Sequence, residues 1–239
     1  MSGAAPLGSA VQEQCATRLK CLVKQAWGMT ELSPCGTITP NNVPSIDHIK
    51  GKSGLLVPNT EGKIVDPVTG KDLLYHQEGE LLIRGPQRMK GYLNNVESTK
   101  NTIRPDGWLH TGDIGYFDNE GWLYITDRCK ELIKFKGFQV PPAELEALIL
   151  SMPAVKDVIV IPVLDDEAGE IPRAYVVKQD NCPASFDESA IIDFVASKVA
   201  PHKKLRGGVK FALAVPKSAS GKLLRRVQIQ IDRGQLPPM

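Results

Sequence analysis

Asp127-Arg128-Cys129-Lys130-Glu131-Leu132-Ile133-Lys134-Phe135-Lys136-Gly137 is the stretch on which the reading of this chain turns. Upstream of it, from residue 54 onward, the apolar runs are short: Leu55-Leu56-Val57, Lys63-Ile64-Val65 and Glu80-Leu81-Leu82-Ile83. Gly62, Pro67, Gly70 and Gly79 punctuate them, a pattern of strands and turns. Asp118-Asn119-Glu120-Gly121 ahead of residues 122–126 predicts a hairpin. This part reads as a small, mostly antiparallel β unit. Downstream the texture changes to alternating helices and strands. Pro141-Pro142 opens a predicted helix to about residue 151, with Leu145, Leu148 and Ile149 on one face; proline is tolerated in a first helical turn. Strands are predicted over 155–163, 174–177 and 209–215. Asp187 caps a helix carrying Ile191, Ile192, Phe194, Val195 and Val199, and a basic helix is predicted over 221–231. The quoted stretch therefore marks a boundary, with residues 1–128 on one side and an α+β domain over 129–239 on the other. At the amino end, Val11, Cys15, Leu19 and Leu22 recur at helical spacing and predict an amphipathic helix over 9–22. A strand candidate then runs over 23–27 and breaks at Gly28. Taken alone, Lys130, Lys134 and Lys136 are the polar face of a strand.

Composition bounds the function. The chain has 239 residues, 42% of them hydrophobic and 23% charged, enough to bury a core. Its 29 basic and 27 acidic side chains give a net charge of +2, which makes no electrostatic case for nucleic acid or an anionic membrane. The greasiest run, residues 158–164, is short and contains Pro162, so no membrane segment is expected. Met1-Ser2-Gly3-Ala4-Ala5-Pro6 does not read as a signal peptide, and Gln235-Leu236-Pro237-Pro238-Met239 is neither a prenylation box nor a peroxisomal tripeptide. Cys15, Cys21, Cys35, Cys129 and Cys182 lack C-x-x-C spacing, and His48, His76, His110 and His202 are dispersed. Neither a disulfide framework nor a zinc site is expected, and the reading is a reducing cytoplasm.

Several short motifs carry chemistry only in combination. Pro216-Lys217-Ser218-Ala219-Ser220-Gly221-Lys222-Leu223 fails the phosphate-loop template G-x-x-x-x-G-K-[ST] at Pro216 and at Leu223. By itself it is an exposed turn before a basic helix. Thr111-Gly112-Asp113 alone is ordinary turn chemistry. The ordered set is different. Gln25-Ala26-Trp27-Gly28-Met29-Thr30-Glu31, Gly107-Trp108-Leu109-His110-Thr111-Gly112-Asp113, the stretch quoted first, and Ser218-Ala219-Ser220-Gly221-Lys222 resemble the successive later core motifs of the adenylate-forming superfamily. Gly91-Tyr92-Leu93-Asn94-Asn95 and Gln139-Val140-Pro141-Pro142-Ala143-Glu144-Leu145-Glu146 fit its 4-coumarate–coenzyme A ligase-like branch. The likeness runs over essentially the whole chain.

That resemblance implies a mixed α/β to α+β fold: part of a large AMP-binding domain with a small β-barrel-like unit, then a compact mobile α+β domain. It implies an AMP-forming ligase that joins a small-molecule carboxylic acid to coenzyme A, with ATP and magnesium. Residue by residue, Ala4 and Ala5 lie along the adenine and acyl groups. Gln25, Ala26, Trp27, Gly28, Met29 and Thr30 form the loop between them, with Thr30 on the α-phosphate and Glu31 facing the metal; a hard ion suits a carboxylate. Asp113 accepts both ribose hydroxyls, for which a carboxylate has the acceptor capacity, and Arg128 is its partner there. Lys130 is the interdomain hinge. Lys222, Lys134 and Gln139 hold the acyl adenylate in two successive states, and Lys136-Gly137 contacts coenzyme A.

Two departures qualify the likeness. Ala26 and Trp27 stand where the family has glycine and tyrosine, and the indole is expected to narrow or reshape the acyl pocket. The Ser/Thr/Gly-rich loop that grips the β- and γ-phosphates in the family is not found, so a missing N-terminal portion is expected. The chain alone is then expected not to make acyl-AMP at a ligase-like rate, and the helix over 9–22 is expected to lack packing partners. A ligase needing that portion and a non-catalytic module that binds adenylate both stay open at this point.

Overall fold

Two periodicities build the fold, and the computed structural model describes it over residues 1–3, 7–183, 185–219 and 221–238. The chain divides into two compact units, Met1–Lys130 and Glu131–Met239.

The first unit begins with helix α1 (Ser9–Leu19), followed by strands β1 (Ala26–Gly28) and β2 (Cys35–Ile38), the short helix α2 (Ile46–Ile49) and strand β3 (Leu55–Leu56). Strands β1, β2 and β3 pair antiparallel in that order. Strands β4 (Glu61–Val65) and β5 (Gly79–Arg84), helix α3 (Val96–Thr102), and strands β6 (Leu109–Phe117) and β7 (Leu123–Arg128) complete the unit. β4 to β7 form an antiparallel sheet whose order is an open path, so no closed barrel is formed among the described residues. Alternate side chains Leu81 and Ile83 of β5 join Leu32, Ile64, Leu109, Phe117 and Leu123 in one core. The predicted hairpin is the β6–β7 connection. Asp118 Oδ1 accepts from the backbone N–H groups of Glu120 and Trp122 at 3.0 and 2.9 Å, which fixes the turn locally. Tyr116 and Tyr124, opposite one another in register, stack at 4.7 Å.

Helix α1 departs from its predicted face. Val11, Leu19 and Leu22 are exposed, Leu19 by 62%, while Gln12 and Ala16 are buried. The cause is Gln12, whose amide is fully used inside the unit. Its Nε2 donates to the carbonyls of Val23 and Ile49 at 2.8 and 3.4 Å. Its Oε1 accepts from Gln25 Nε2 and the Gly51 N–H at 3.0 and 2.8 Å. Buried polar groups in folded chains are generally paired in this way. One side of the helix is thus tied to the unit by polar bonds, whereas the apolar residues Val11, Leu19 and Leu22 are left uncovered.

The second unit has strands β8 (Ile133–Phe135) and β9 (Phe138–Val140), helix α4 (Pro142–Leu150), strands β10 (Val155–Asp165) and β11 (Gly169–Lys178), helix α5 (Glu188–Ala196), strand β12 (Val209–Phe211) and helix α6 (Arg225–Asp232). Its sheet runs β10-β11-β8-β9, with β12 parallel to β11. β10 is buried on both faces: Val158 and Val160 enter the core with α4 and α5, whereas Ile159 and Ile161 enter the core that includes Ile229 of α6. This is why it reads as a continuous apolar run instead of an alternation. Asp187 accepts from the Ala190 N–H at 2.9 Å and caps α5. The strand predicted over 209–215 is shorter, and the basic helix starts later than residue 221. Among the described residues, no helix is long and apolar enough to cross a membrane.

The polar seam around Gln12 gives a direct test. Trp27, Trp108 and Trp122 are the 3 tryptophans, all in the first unit, so their fluorescence during a urea titration reads that unit alone. Gln12→Ala is expected to lower its stability by about 1–3 kcal/mol, because the buried groups left behind lose their partner. An unchanged midpoint would show that the seam contributes nothing.

Candidate functional site

Asp113 lies on β6 directly opposite Arg128 of β7, and the residue is 4% exposed. Arg128 Nε donates to its Oδ1 at 2.9 Å. Trp27 Nε1, 86 positions earlier in the chain, donates to its Oδ2 at 2.8 Å. A carboxylate so far removed from water needs such donors. The backbone is fixed as well: the Asp113 N–H donates to Thr111 Oγ1 at 3.0 Å, and that hydroxyl donates to the Leu81 carbonyl at 2.7 Å. The Gly112 N–H donates to Glu80 Oε1 at 3.2 Å, and His110 Nδ1 lies 3.0 Å from Glu80 Oε2. The Cys129 N–H donates to the Gly112 carbonyl at 2.8 Å. Burial pushes the Cys129 thiol up to about 11, aided by Glu80 and Asp113. At neutral pH it stays a thiol and is a poor nucleophile.

The indole of Trp27 therefore points its N–H to Asp113. It lies over Gly36 of β2: a Cβ built at Gly36 would come within 2.4 Å of the Trp27 ring. Only glycine leaves room for the ring in that position.

Thr30 and Glu31 open a 3-10 turn, Thr30–Leu32, at the end of β1. Thr30 is exposed and Glu31 half-buried. The Tyr92 hydroxyl donates to Glu31 Oε1 at 2.7 Å, and this bond, with burial, raises the Tyr92 phenol above its ordinary range. The Met89 N–H donates to the Glu31 carbonyl at 2.7 Å. Tyr92 sits in the Gly91–Asn95 run without a role in the sequence reading, and a tyrosine in a turn-rich loop gives no signal that it will orient a distant carboxylate. Among the described residues, no group of three or more His, Cys, Asp or Glu could hold a metal unaided. Glu31 does suit magnesium, which takes one or two carboxylates and fills its shell with phosphate oxygens and water. Gln25 turns inward, its Nε2 donating to Gln12 Oε1 and to the Leu7 carbonyl at 3.0 and 3.3 Å. Ala26 belongs to β1 together with Trp27 and Gly28, and Met29 packs against the core. Ala4 and Ala5 lie outside the described residues.

In the second unit, Lys134 of β8 and Gln139 of β9 stand opposite each other in register, both exposed. Lys136 and Gly137 form the two-residue turn between them, with φ values of 46° and 82°. Positive φ at both positions is the geometry of a two-residue hairpin turn. A Cβ at Gly137 would meet nothing within 4 Å, so the glycine is required by its backbone angle and not by crowding. Lys130 is exposed and is the last residue of the first unit.

Lys222 lies in a closed loop before α6. Lys217 and Leu223 bridge, the Lys222 N–H donates to Ser218 Oγ at 3.1 Å, and the Ser218 N–H donates to the Lys222 carbonyl at 2.9 Å. Three ionic clusters anchor the flanks. Lys217 pairs with Asp157 at 2.5 Å. Arg225 forks between Glu131 at 2.7 Å and Glu146 at 2.6 Å. Asp232 receives the Tyr175 hydroxyl, Arg173 at 2.7 Å and Lys210 at 3.2 Å. Burial alone would push Asp232 up, but the three donors together hold it below its ordinary range.

Comparison with known proteins gives family matches in both units. A family model described as AMP-binding enzyme matches residues 1–93, and one described as AMP-binding enzyme C-terminal domain matches residues 144–222. A 4-coumarate–CoA ligase-like 4 of Oryza sativa subsp. japonica is 47% identical over 237 residues, 99% of this chain and 42% of the relative. The chain thus spans less than half the length of that curated relative. The crystal structure of ATP-bound MatB from Rhodopseudomonas palustris is similar with a TM-score of 0.88 and 31% identity, covering 97% of this chain and 45% of that one. That of o-succinylbenzoate CoA synthetase (MenE) from Bacillus subtilis, in complex with the acyl-adenylate intermediate OSB-AMP, gives 0.80 and 31%, covering 94% and 44%.

The Lys136-Gly137 turn separates structural from chemical demands. Gly137→Ala is expected to destabilise the second unit by about 1 kcal/mol through its positive φ. Lys136→Gly, which relieves the same strain one residue earlier, is expected to stabilise the unit slightly. Thermal unfolding of each variant checks both signs, and equal shifts would exclude the turn as their cause.

Proposed function

We propose that the chain belongs to the AMP-binding enzyme family and supplies the carboxyl-terminal portion of an AMP-forming carboxylate–coenzyme A ligase similar to 4-coumarate–CoA ligases. The observation that carries the reading is the convergence of Trp27 and Arg128, from two other segments, on the one buried carboxylate of Asp113. Asp113 is held by Arg128 and Trp27, and the acceptor oxygens of a carboxylate suit the vicinal hydroxyls of a ribose. On this reading Arg128 steadies the ribose site, and the Thr30 hydroxyl donates to the α-phosphate. Magnesium, when bound, would take Glu31 as its protein ligand and neutralise phosphate charge.

The reaction has two steps. The substrate carboxylate attacks the α-phosphorus of ATP, the bond to the β-phosphate oxygen breaks, and pyrophosphate leaves with acyl-AMP formed. The coenzyme A thiol, losing its proton, then attacks the acyl carbonyl, and AMP departs. Lys222 serves the first step by stabilising negative charge on the carboxylate and the phosphate. Lys134 and Gln139 serve the second, and Lys136-Gly137 contacts coenzyme A. Lys130 is the pivot about which residues 129–239 turn between the steps, as closure motions do in many enzymes. The closed loop around Lys222 and the exposed hairpin carrying Lys134 support this division, because each lysine has its own rigid support.

The test uses a ligase completed with the upstream portion of a related protein. Lys222→Ala is expected to slow acid-dependent pyrophosphate release about a hundredfold while leaving transfer from pre-formed acyl-AMP to coenzyme A nearly intact. Lys134→Ala is expected to do the reverse. Equal damage to both half-reactions by both substitutions would count against two successive arrangements.

A further inference from the structure

We infer that Tyr92 is the positioning residue of the Glu31 site, holding that carboxylate in the orientation in which it meets a divalent cation. The inference rests on the proposed metal-ligand role of Glu31 and adds to it the residue that sets its direction. The terminal torsion of glutamate is broad, so a half-buried carboxylate faces one way only if an oxygen is held. Here the Tyr92 hydroxyl, 61 positions later in the chain, holds Glu31 Oε1 at 2.7 Å. The backbone beside it is held as well. The Met89 N–H donates to the Glu31 carbonyl at 2.7 Å, and the next residue, Leu32, is fully buried in the core of the first unit.

Tyr92 has a base of its own. Its N–H donates to Thr99 Oγ1 of α3 at 2.9 Å, and that hydroxyl donates to the Asn95 carbonyl at 2.8 Å. Asn95 Oδ1 in turn accepts from the Ser98 N–H at 3.0 Å and caps α3. Gly91 lets the loop come this close, since a Cβ there would meet Thr99 Cγ2 at 2.8 Å. The ring is thus carried by a helix cap and not by the turn whose carboxylate it holds. The chemistry of the donor also fits. A phenol is neutral at ordinary pH, so it orients the carboxylate without cancelling its charge, as a lysine or arginine partner would. Magnesium needs that charge, because it is bound through one or two carboxylates. Carboxylates that ligate metals are themselves hydrogen-bonded, and loss of such a partner costs about 10–100-fold in metal affinity.

Manganese, a paramagnetic stand-in for magnesium, tests this on the 239-residue chain, with AMP supplying the α-phosphate. Electron paramagnetic resonance measures the Mn2+ bound beyond what AMP holds in solution by itself. The wild-type chain is expected to take up Mn2+ that Mg2+ displaces, and Glu31→Gln is expected to lose this uptake. Tyr92→Phe, which removes only the hydroxyl, should weaken Mn2+ binding about tenfold, while AMP binding without metal keeps its wild-type affinity. Tryptophan fluorescence in urea reports whether the first unit of each variant is folded. Unchanged Mn2+ affinity in Tyr92→Phe, with its loss in Glu31→Gln, overturns the role of Tyr92 and leaves the Glu31 site standing. Metal-free AMP affinity weakened to the same degree as Mn2+ affinity makes the effect a disturbance of the whole loop, and overturns that role equally. A wild-type chain that takes up no Mn2+, or a Glu31→Gln variant that keeps it, overturns the Glu31 site, and the role of Tyr92 with it.

Discussion

Burying the Asp113 carboxylate constrains the first unit more than any apolar contact does. A charge removed from water is tolerated only with donors in fixed places, and here they come from opposite ends of the unit. Arg128 is supplied by the cross-strand register of β6 and β7, which in turn depends on the Asp118 turn that joins them. Trp27 is supplied by β1, whose ring position depends on Gly36 of β2. Shift the β6–β7 register by one residue and Asp113 faces the opposite side of the sheet. The three-stranded and four-stranded sheets are thus tied by a polar triad as well as by the shared core of Leu32, Leu81 and Leu109.

The second unit uses the same device with the sign reversed. Arg225, a cation with little exposed surface, forks between Glu131 and Glu146. Glu146 also accepts the Val160 N–H at 2.8 Å, so α4, β10, α6 and the first residue of the unit meet at one network. Replacing such a network by apolar groups often leaves stability unchanged, whereas removing one member costs several kcal/mol, roughly 3–5. Its value is then in fixing geometry: it holds the start of α6, three residues beyond Lys222, to the residue that follows Lys130. A basic first turn opposes the helix dipole, and the two carboxylates on Arg225 offset that cost.

Much of this was legible beforehand for identifiable reasons. β10 shows a run of apolar residues because both its faces are covered, and Asp187 and Asp118 act through local hydrogen bonds within a few positions. The short β8–β9 hairpin was not legible. Ile133, Phe135 and Val140 alternate with polar residues over too few positions, and lysine is an uncommon residue at positive φ. The buried side of α1 was not legible, because apolar spacing carries no information about a glutamine whose four partners lie 11 to 39 positions away. In the site, Asp113 and Arg128 were recognisable from their motifs. Tyr92 beside Glu31, and the direction of the Trp27 indole, were not, because both depend on contacts between segments far apart in sequence.

The same reasoning bears on how a motif should be read when a plain structural account is also true. Gly137 is explained by its turn, and Lys222 sits in a loop closed by ordinary backbone bonds; neither fact removes a chemical role. A turn with no atom within 4 Å of the missing Cβ leaves backbone open to an approaching molecule. A loop braced by Ser218, Asp157 and the Arg225 fork presents its lysine from a fixed base. Preorganisation of this kind is what electrostatic catalysis requires, since a charge that must reorient at the moment of reaction gives back part of its stabilisation. The structural account is therefore compatible with the proposed chemical one: the fold has already fixed where these residues stand.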